Sequence, residues 1–258
     1  MPEPVALATP TMRKVAEAHP RLMVEDTHHL CPGCGHPVAW RILAQVLDEL
    51  ALEKRAIATI GHGCYNAMMP MSDFEIYQSL HGRAPATATG IKRMLPQVVV
   101  FSIQGDGDMA NEGLQEVLHA AGRGERITSI MLNNGVFGDT GGQMTVSTVL
   151  GQRTKTSLDG RDAEAHGSPI PVADLVARLD GSAYVARGNV NDRAGIARTK
   201  RMLQAAFETQ LSGAGFSFVE ILTMCPTGWF VPAKDGGTYL DESLAAVYPT
   251  GVLKQPAG

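Results

Sequence analysis

Val98-Val99-Val100-Phe101-Ser102-Ile103-Gln104-Gly105-Asp106-Gly107-Asp108 is the stretch that decides how this 258-residue chain reads. Its apolar, β-rich half, Val98 to Ile103, predicts a strand covered on both faces. The run breaks at Gly105-Asp106-Gly107-Asp108, a helical segment follows over about Met109 to Ala121, and Ile127 to Leu132 predicts the next strand. That strand ends in Asn133-Asn134-Gly135-Val136-Phe137-Gly138-Asp139-Thr140-Gly141-Gly142-Gln143. Two successive strands thus end in Gly-rich loops that carry Asp and Asn. In open α/β folds, ligands bind in the crevice beyond the carboxyl ends of parallel strands. Glycines let backbone amides approach an anion, and a helix starting behind Asp108 adds its own N-terminal amides. Asp106 and the Asn133-Asn134 pair supply hard oxygens of the kind Mg²⁺ or Ca²⁺ prefers.

The same rhythm extends in both directions. Pro37 suits a first helical position, and apolar residues from Val38 to Leu50 recur every three or four places. A short strand over Ala56 to Ile60 leads into Gly61-His62-Gly63-Cys64-Tyr65. Residues 70–77 predict surface turn, and the small residues after Arg83 predict a helix that packs closely. Downstream, 144–169 is polar and without a convincing element. A helix around Pro171 to Leu179, a strand at Ala183 to Ala186, a helix from about Asp192 to Gln210 and a strand over 216–222 complete the pattern. The expected fold class is α/β, a mostly parallel sheet with helices on both faces. Residues 1–27, rich in proline, predict an N-terminal arm, 28–230 the domain, and 231–258 an irregular C-terminal tail.

Composition narrows the function. With 44% hydrophobic residues and a mean hydropathy near zero, the chain reads as globular. Its apolar runs break before 18 residues, which predicts no membrane span. The first ten residues have no basic region ahead of their apolar patch, which predicts no signal peptide and a cytoplasmic location. A formal charge of −4 gives no reason to expect nucleic acid.

Four cysteines remain. Cys31-Pro32-Gly33-Cys34 stands ahead of a helix and reads as a redox dithiol, half of a zinc site or half of an iron–sulfur site. Cys64 follows one predicted strand and Cys225 another, so all four fall in loops or at strand ends rather than inside core runs. Four thiolates so placed suit zinc or a [4Fe–4S] cluster, and sulfur ligands alone do not distinguish them.

Gly105-Asp106-Gly107, followed one strand–helix–strand unit later by Asn133-Asn134, resembles the thiamine diphosphate signature. The loop from Asn134 to Gln143 is similar to that of the β subunit of 2-oxoacid:ferredoxin oxidoreductases, and the resemblance covers about residues 25 to 230. It implies a thiamine diphosphate-binding fold, with Mg²⁺ held by Asp106, Asn134 and the Val136 carbonyl. Gly105, Gly107, Asp108, Gly138 and Thr140 are implied around the cofactor, although Asp108 replaces a bulkier residue and is expected to serve only the turn. His81-Gly82-Arg83 is similar to a family segment beside the diphosphate, so His81 and Arg83 are implied contacts. Asp139, where relatives carry Asn or Leu, is a candidate, with His81, for a role in the reactive pocket. The four cysteines are implied ligands of one [4Fe–4S] cluster.

The implied activity is oxidative decarboxylation of a 2-oxoacid to acyl-coenzyme A and CO₂, with electrons passing through the cluster to ferredoxin. The string from His81 to Lys92 looks most like the branched-chain (2-oxoisovalerate) type, whose substrate is 3-methyl-2-oxobutanoate. 2-Oxoglutarate, pyruvate or an aryl glyoxylate is the alternative substrate. The glutamate that activates the aminopyrimidine belongs to a pyrimidine-binding domain in this family, which implies an α subunit and, beside it, γ- and δ-type subunits. Two rivals make different demands: a non-oxidative thiamine decarboxylase needs no cysteine set, and a zinc-stabilised assembly subunit needs no thiamine.

Overall fold

The computed structural model describes residues 20–24 and 27–256. Its strands are β1 Ala56–Ile60, β2 Glu75–Gln78, β3 Val99–Gly105, β4 Thr128–Asn133, β5 Val136–Phe137, β6 Gln143–Met144, β7 Ser182–Asn189, β8 Phe216–Leu222 and β9 Gly251–Lys254. Its α-helices are α1 His36–Glu49, α2 Ala84–Met94, α3 Leu114–Gly122, α4 Ala163–His166, α5 Val172–Ala177, α6 Arg193–Ser212, α7 Pro226–Trp229, α8 Gly236–Glu242 and α9 Leu244–Val247. Seven strands pair in the order β2-β1-β3-β4-β8-β7-β9, and β5 with β6 forms a separate small hairpin. All neighbours in the large sheet are parallel except β9, which runs antiparallel to β7 along the edge.

The central strands are buried on both faces, and their alternating residues feed two cores. Phe101, Ile103, Ile130, Leu132 and Ile221 face α1 and α6, where Trp40, Leu43, Leu47, Leu203 and Phe207 pack. Val100, Met131, Phe216 and Phe218 face the other way, against Val117, Ala120 and Ala121 of α3 and Val172 and Val176 of α5. Continuous Val/Ile/Leu/Phe runs are what a sheet covered on both sides requires. α6 starts at Asp192, whose carboxylate accepts from the Gly195 amide, and stops at Gly213 in the left-handed region.

The registers align strand ends: Gly105 lies opposite Leu132, and Asn133 opposite Leu222. The loops after β1, β3, β4 and β8 therefore gather on one edge. From β1 the chain moves outward to β2 and then crosses to β3 on the other side of β1, so β1 and β3 flank a topological switch point, the usual place for a ligand crevice.

Three expectations need correction. β2 forms where only turn was expected, as a largely exposed edge strand beside β1. The segment 109–121 is not one continuous α-helix: π-helical turns over Gly107–Glu112 precede α3, broken at Gly113. A β-carbon at Gly113 would stand 2.1 Å from the Gly82 carbonyl oxygen, so that close approach holds the break in place. The tail beyond 230 carries α8, α9 and β9, and Leu240, Leu244 and Tyr248 form a third core with Val136, Leu222 and Trp229. Residues 1–19, on which most of the expected arm falls, lie outside the described residues. No helix among the described residues is long and apolar enough to cross a membrane.

Candidate active site at the carboxyl edge of the sheet

Asp106 follows β3 directly, and its side chain is 1% exposed. One carboxylate oxygen accepts from the Asn134 amide at 3.3 Å and the other from the Thr145 hydroxyl at 2.5 Å. Burial pushes its carboxyl up to about 7, and the donated hydrogen bonds only partly offset that. A cation beside it would reverse the penalty, because the charged form would then be the neutralised one.

Asp108, two residues on, does far more than shape a turn. It accepts from the Tyr65 hydroxyl at 2.6 Å, the His62 amide at 3.2 Å and the Gly82 amide at 2.5 Å, and His81 Nδ1 lies 2.9 Å from it. One buried carboxylate thus ties the loop after β1 and the turn before α2 to the loop after β3. Gly61 permits this, since a β-carbon there would stand 1.7 Å from the Asp108 carboxylate. Tyr65 stays protonated, first through burial and then through the Asp108 charge it donates to.

The second loop is shaped by its own asparagines. Asn133 Oδ1 accepts from the Gly135 amide and Asn134 Oδ1 from the Val136 amide, both at 3.0 Å, giving two consecutive Asx turns. Gly135 adopts φ +68°, where a side chain would also meet Gln152. Trp229 Nε1 donates to the Asn134 carbonyl at 2.8 Å. Phe137 leans over Gly107, where a β-carbon would lie 2.3 Å from its ring.

These loops enclose a cavity lined by His62, Gly63, Cys64, Tyr65, His81, Gly105, Asp106, Gly107, Asp108, Asn134, Val136, Phe137, Gly138, Asp139 and Thr140, with His36 at its back. Of the residues expected around the cofactor, only Arg83 stands outside; it pairs with Glu116 and lines a neighbouring open groove with Tyr77 and Gln78. His81 is 42% exposed and stacks on His62 with ring centroids 5.9 Å apart. Thr140 is held by Gln143 through a 2.8 Å bond. A buried carboxylate beside glycines that a β-carbon would clash with, and asparagine oxygens on the facing loop, fit a metal-bound diphosphate.

A second cavity adjoins the first and is lined by all four cysteines, with Leu30, Gly141 and the α7 turn around them. A β-carbon on Gly138 would lie 3.3 Å from Cys64 Sγ and 3.6 Å from Cys225 Sγ. No disulfide joins any of the four. Burial pushes the Cys34 thiol up to about 11, and those of Cys64 and Cys225 to about 12. The charge of Asp139 adds to the effect at Cys64. As bare thiols they would stay protonated at neutral pH, whereas a bound metal centre would deprotonate them. All four cysteines line this one cavity, and among the described residues no three His, Cys, Asp or Glu side chains are grouped closely enough to hold a metal ion.

His36, Cys64, Asn134 and Gly138 line both cavities. His36 is 3% exposed, burial lowers its pKa to about 4, and neither ring nitrogen has a partner among the described residues. Sequence reading missed His36, Tyr65 and Thr145 and undervalued Asp108. The Gly-His step after Cys34 was the one available signal.

Residues 62–221 match the family model described as thiamine pyrophosphate enzyme, C-terminal TPP binding domain. The chain is 37% identical over 221 residues to the ketoisovalerate oxidoreductase subunit VorA of Methanothermobacter thermautotrophicus, covering 86% of this chain and 46% of that protein. It is 32% identical over 235 residues to the 2-oxoglutarate synthase subunit KorB of Archaeoglobus fulgidus, covering 87% and 84%. It therefore spans about half the length of the VorA relatives and most of that KorB. Among solved structures, the 2-oxoglutarate:ferredoxin oxidoreductase of Magnetococcus marinus, with 2-oxoglutarate, coenzyme A and succinyl-CoA bound, shares the fold. Its TM-score is 0.74 at 24% identity, over 92% of this chain and 84% of that one. With a thiamine-binding model over most of its sheet and a KorB relative matched nearly end to end, the chain belongs to the β, or KorB-type, subunits of the thiamine-dependent 2-oxoacid:ferredoxin oxidoreductases.

Proposed function

We propose that this chain holds thiamine diphosphate and a [4Fe–4S] cluster in a heteromeric enzyme that oxidatively decarboxylates a 2-oxoacid to its acyl-coenzyme A and passes the electrons to ferredoxin. The observation that carries the reading is the pair of adjoining cavities, one walled by carboxylates and amides and the other by four cysteines. Bound thiamine diphosphate supplies the carbanion chemistry of decarboxylation, and the cluster supplies a one-electron route away from it.

The chain's own residues bind and orient. Asp106, the Asn134 side chain and the Val136 carbonyl would hold Mg²⁺, with Gly105, Gly107, Gly138 and Thr140 around the diphosphate. Asp108 stands 2.9 Å from His81 Nδ1 and so positions that ring at the cavity. His81 and Asp139 would then stand beside the reacting carbon, and Phe137 covers Gly107 against water. Cys31, Cys34, Cys64 and Cys225 would ligate the cluster.

The pyrimidine-activating glutamate would come from an α subunit, with γ- and δ-type subunits and ferredoxin completing the assembly. The branched-chain substrate has the support of two VorA relatives at 37% identity. The wider alternative, 2-oxoglutarate or another 2-oxoacid, is better supported: several KorB relatives and the matched structure are named for 2-oxoglutarate, and KorB of Archaeoglobus fulgidus is covered far more completely than VorA.

The test is to purify the assembled complex anaerobically, measure iron, zinc and thiamine, and follow ferredoxin reduction with 2-oxoglutarate, 3-methyl-2-oxobutanoate, pyruvate and an aryl glyoxylate. Iron, thiamine and coenzyme A-dependent turnover of one of these acids are expected. Zinc without iron, or thiamine turnover that needs no electron acceptor, overturns the reading in favour of one of the two rivals.

A further inference from the structure

Behind the second cofactor loop lies an ion pair that plays no part in lining either cavity. Glu220, in the middle of the fully buried strand β8, is 1% exposed, and Arg187 on β7 is also 1% exposed. Arg187 Nε donates to Glu220 Oε2 at 2.7 Å. Its other nitrogens donate to Asp174 at 2.6 Å and to the Pro249 carbonyl at 3.2 Å, and the Tyr248 ring lies 5.3 Å beneath the guanidinium. Burial works against the Arg187 charge, but the Glu220 and Asp174 carboxylates outweigh it and raise its pKa. A buried ion pair is weak as a stabiliser, since apolar residues of the same volume usually serve as well. Its presence in the middle of a hydrophobic sheet therefore calls for a positional explanation.

The free carboxylate oxygen supplies one. Glu220 Oε1 accepts from Asn133 Nδ2 at 2.6 Å, and Asn133 Oδ1 accepts in turn from the Gly135 amide. Asn133 thus uses both ends of its amide, one fixed by the sheet and one fixing the turn. That turn carries Asn134, whose amide reaches Asp106 and whose side chain closes on Val136. The chain of contacts runs Arg187–Glu220–Asn133–Gly135, from the far half of the sheet to the floor of the thiamine crevice. The Gly135 amide, a donor, takes the Asn133 oxygen, and Glu220 anchors the other end of the same side chain by accepting from its nitrogen.

We propose that Glu220 and Arg187 are positioning residues for cofactor binding: their ion pair orients the Asn133 amide, and Asn133 holds the Asn134–Val136 turn in the shape that receives the metal-bound diphosphate. The inference rests on the reading that Asp106 and Asn134 flank that diphosphate.

The hydrogen bond between Glu220 and Asn133 can be reversed without changing its shape or the number of charges. In Asn133→Asp, two carboxylates face each other across the 2.6 Å contact. In Asn133→Asp combined with Glu220→Gln, the Gln amide nitrogen donates to Asp, its oxygen accepts from Arg187, and the Asp oxygen still accepts from Gly135. The assembled complex is stripped with EDTA and titrated with thiamine diphosphate at fixed Mg²⁺. Tryptophan fluorescence is the readout, because Trp229, one of two tryptophans, bonds to Asn134.

The single variant is expected to bind the cofactor more weakly by about tenfold or more, the scale of a coupled buried pair. The double variant is expected to return to within about threefold of wild type. A pair that merely stabilises the fold would show its loss and recovery in the melting temperature alone, with the cofactor affinity of the folded single variant unchanged. Unchanged affinity in Asn133→Asp overturns the proposal, as does a folded double variant that remains as weak as the single. If Asn133→Asp does not fold alone, the double variant decides: refolding with near-native affinity supports the brace, and an unfolded or weakly binding double overturns it. The wild-type titration separately tests the site reading, since a chain that binds no thiamine diphosphate fails before any variant is compared.

Discussion

The two cavities are neighbours built on opposite principles. In the first, the two buried carboxylates are already engaged: Asp106 takes bonds from Asn134 and Thr145, and Asp108 takes three from two segments, with His81 Nδ1 beside it. In the second, three of the four thiols are pushed far above their ordinary range by burial. The first is organised by the protein before anything binds, as a site acting through placed dipoles should be. A metal centre bound in the second would have to turn thiols into thiolates, so its binding would be coupled to proton release.

That contrast can be broken most sharply at Asp106. Asp106→Ala removes the buried carboxylate and is expected to abolish stoichiometric thiamine diphosphate and turnover while iron stays bound, as measured by cofactor and metal content of the purified complex. Retained cofactor would mean that another group carries the metal. The reciprocal experiment is Cys225→Ala, expected to lose or convert the cluster and to cut ferredoxin reduction while thiamine diphosphate remains. Loss of both cofactors together would show that the two chambers are not separately organised.

A smaller effect is expected at Asp108. Asp108→Asn keeps the shape but replaces a charged acceptor, worth about 1.5–3 kcal/mol per bond, so kcat/KM should fall about tenfold to a hundredfold. Cofactor content is expected to stay near normal, because the Asp106 side of the crevice is untouched. The mildest test is pH. With its folded pKa raised to about 7 from the ordinary 3.8, Asp106 holds its proton more tightly in the folded chain than in the unfolded one. Its contribution to metal-free stability is therefore fully present below the lower value and is lost as pH rises through about 7. Cofactor affinity should move the opposite way and fall as pH drops below about 7, since a protonated carboxyl is a poor Mg²⁺ ligand. Melting curves of stripped and loaded complex across about pH 5 to 8 measure both slopes.

What the sequence made legible is what chain-local chemistry encodes. An apolar run ending in Gly-Asp-Gly or Asn-Asn-Gly announces a strand tip with a loop able to take special backbone angles, and those loops, with Cys64 and Cys225, lie where their strands predict. The expected strand over 216–222 and helix 1 fall within a residue or two of β8 and α1. β2 was invisible because Glu-Ile-Tyr-Gln is an exposed edge with little to bury, and β9 because it sits in a tail read as irregular through its prolines and glycines. The roles of Asp108, Thr145 and Glu220 depend on partners 26 to 87 residues away, a distance across which spacing carries no information. His36 was visible as a residue but not as a buried one.

His36, Cys64, Asn134 and Gly138 line both chambers and so make up the wall between them. A shared wall gives these four positions two masters. Any substitution that reshapes the first chamber through them also reshapes the cysteine-lined one. Thr140 and His62 line the first chamber alone, so a change there can be tried without touching the lining of the second, whereas Asp139 reaches Cys64 through its charge.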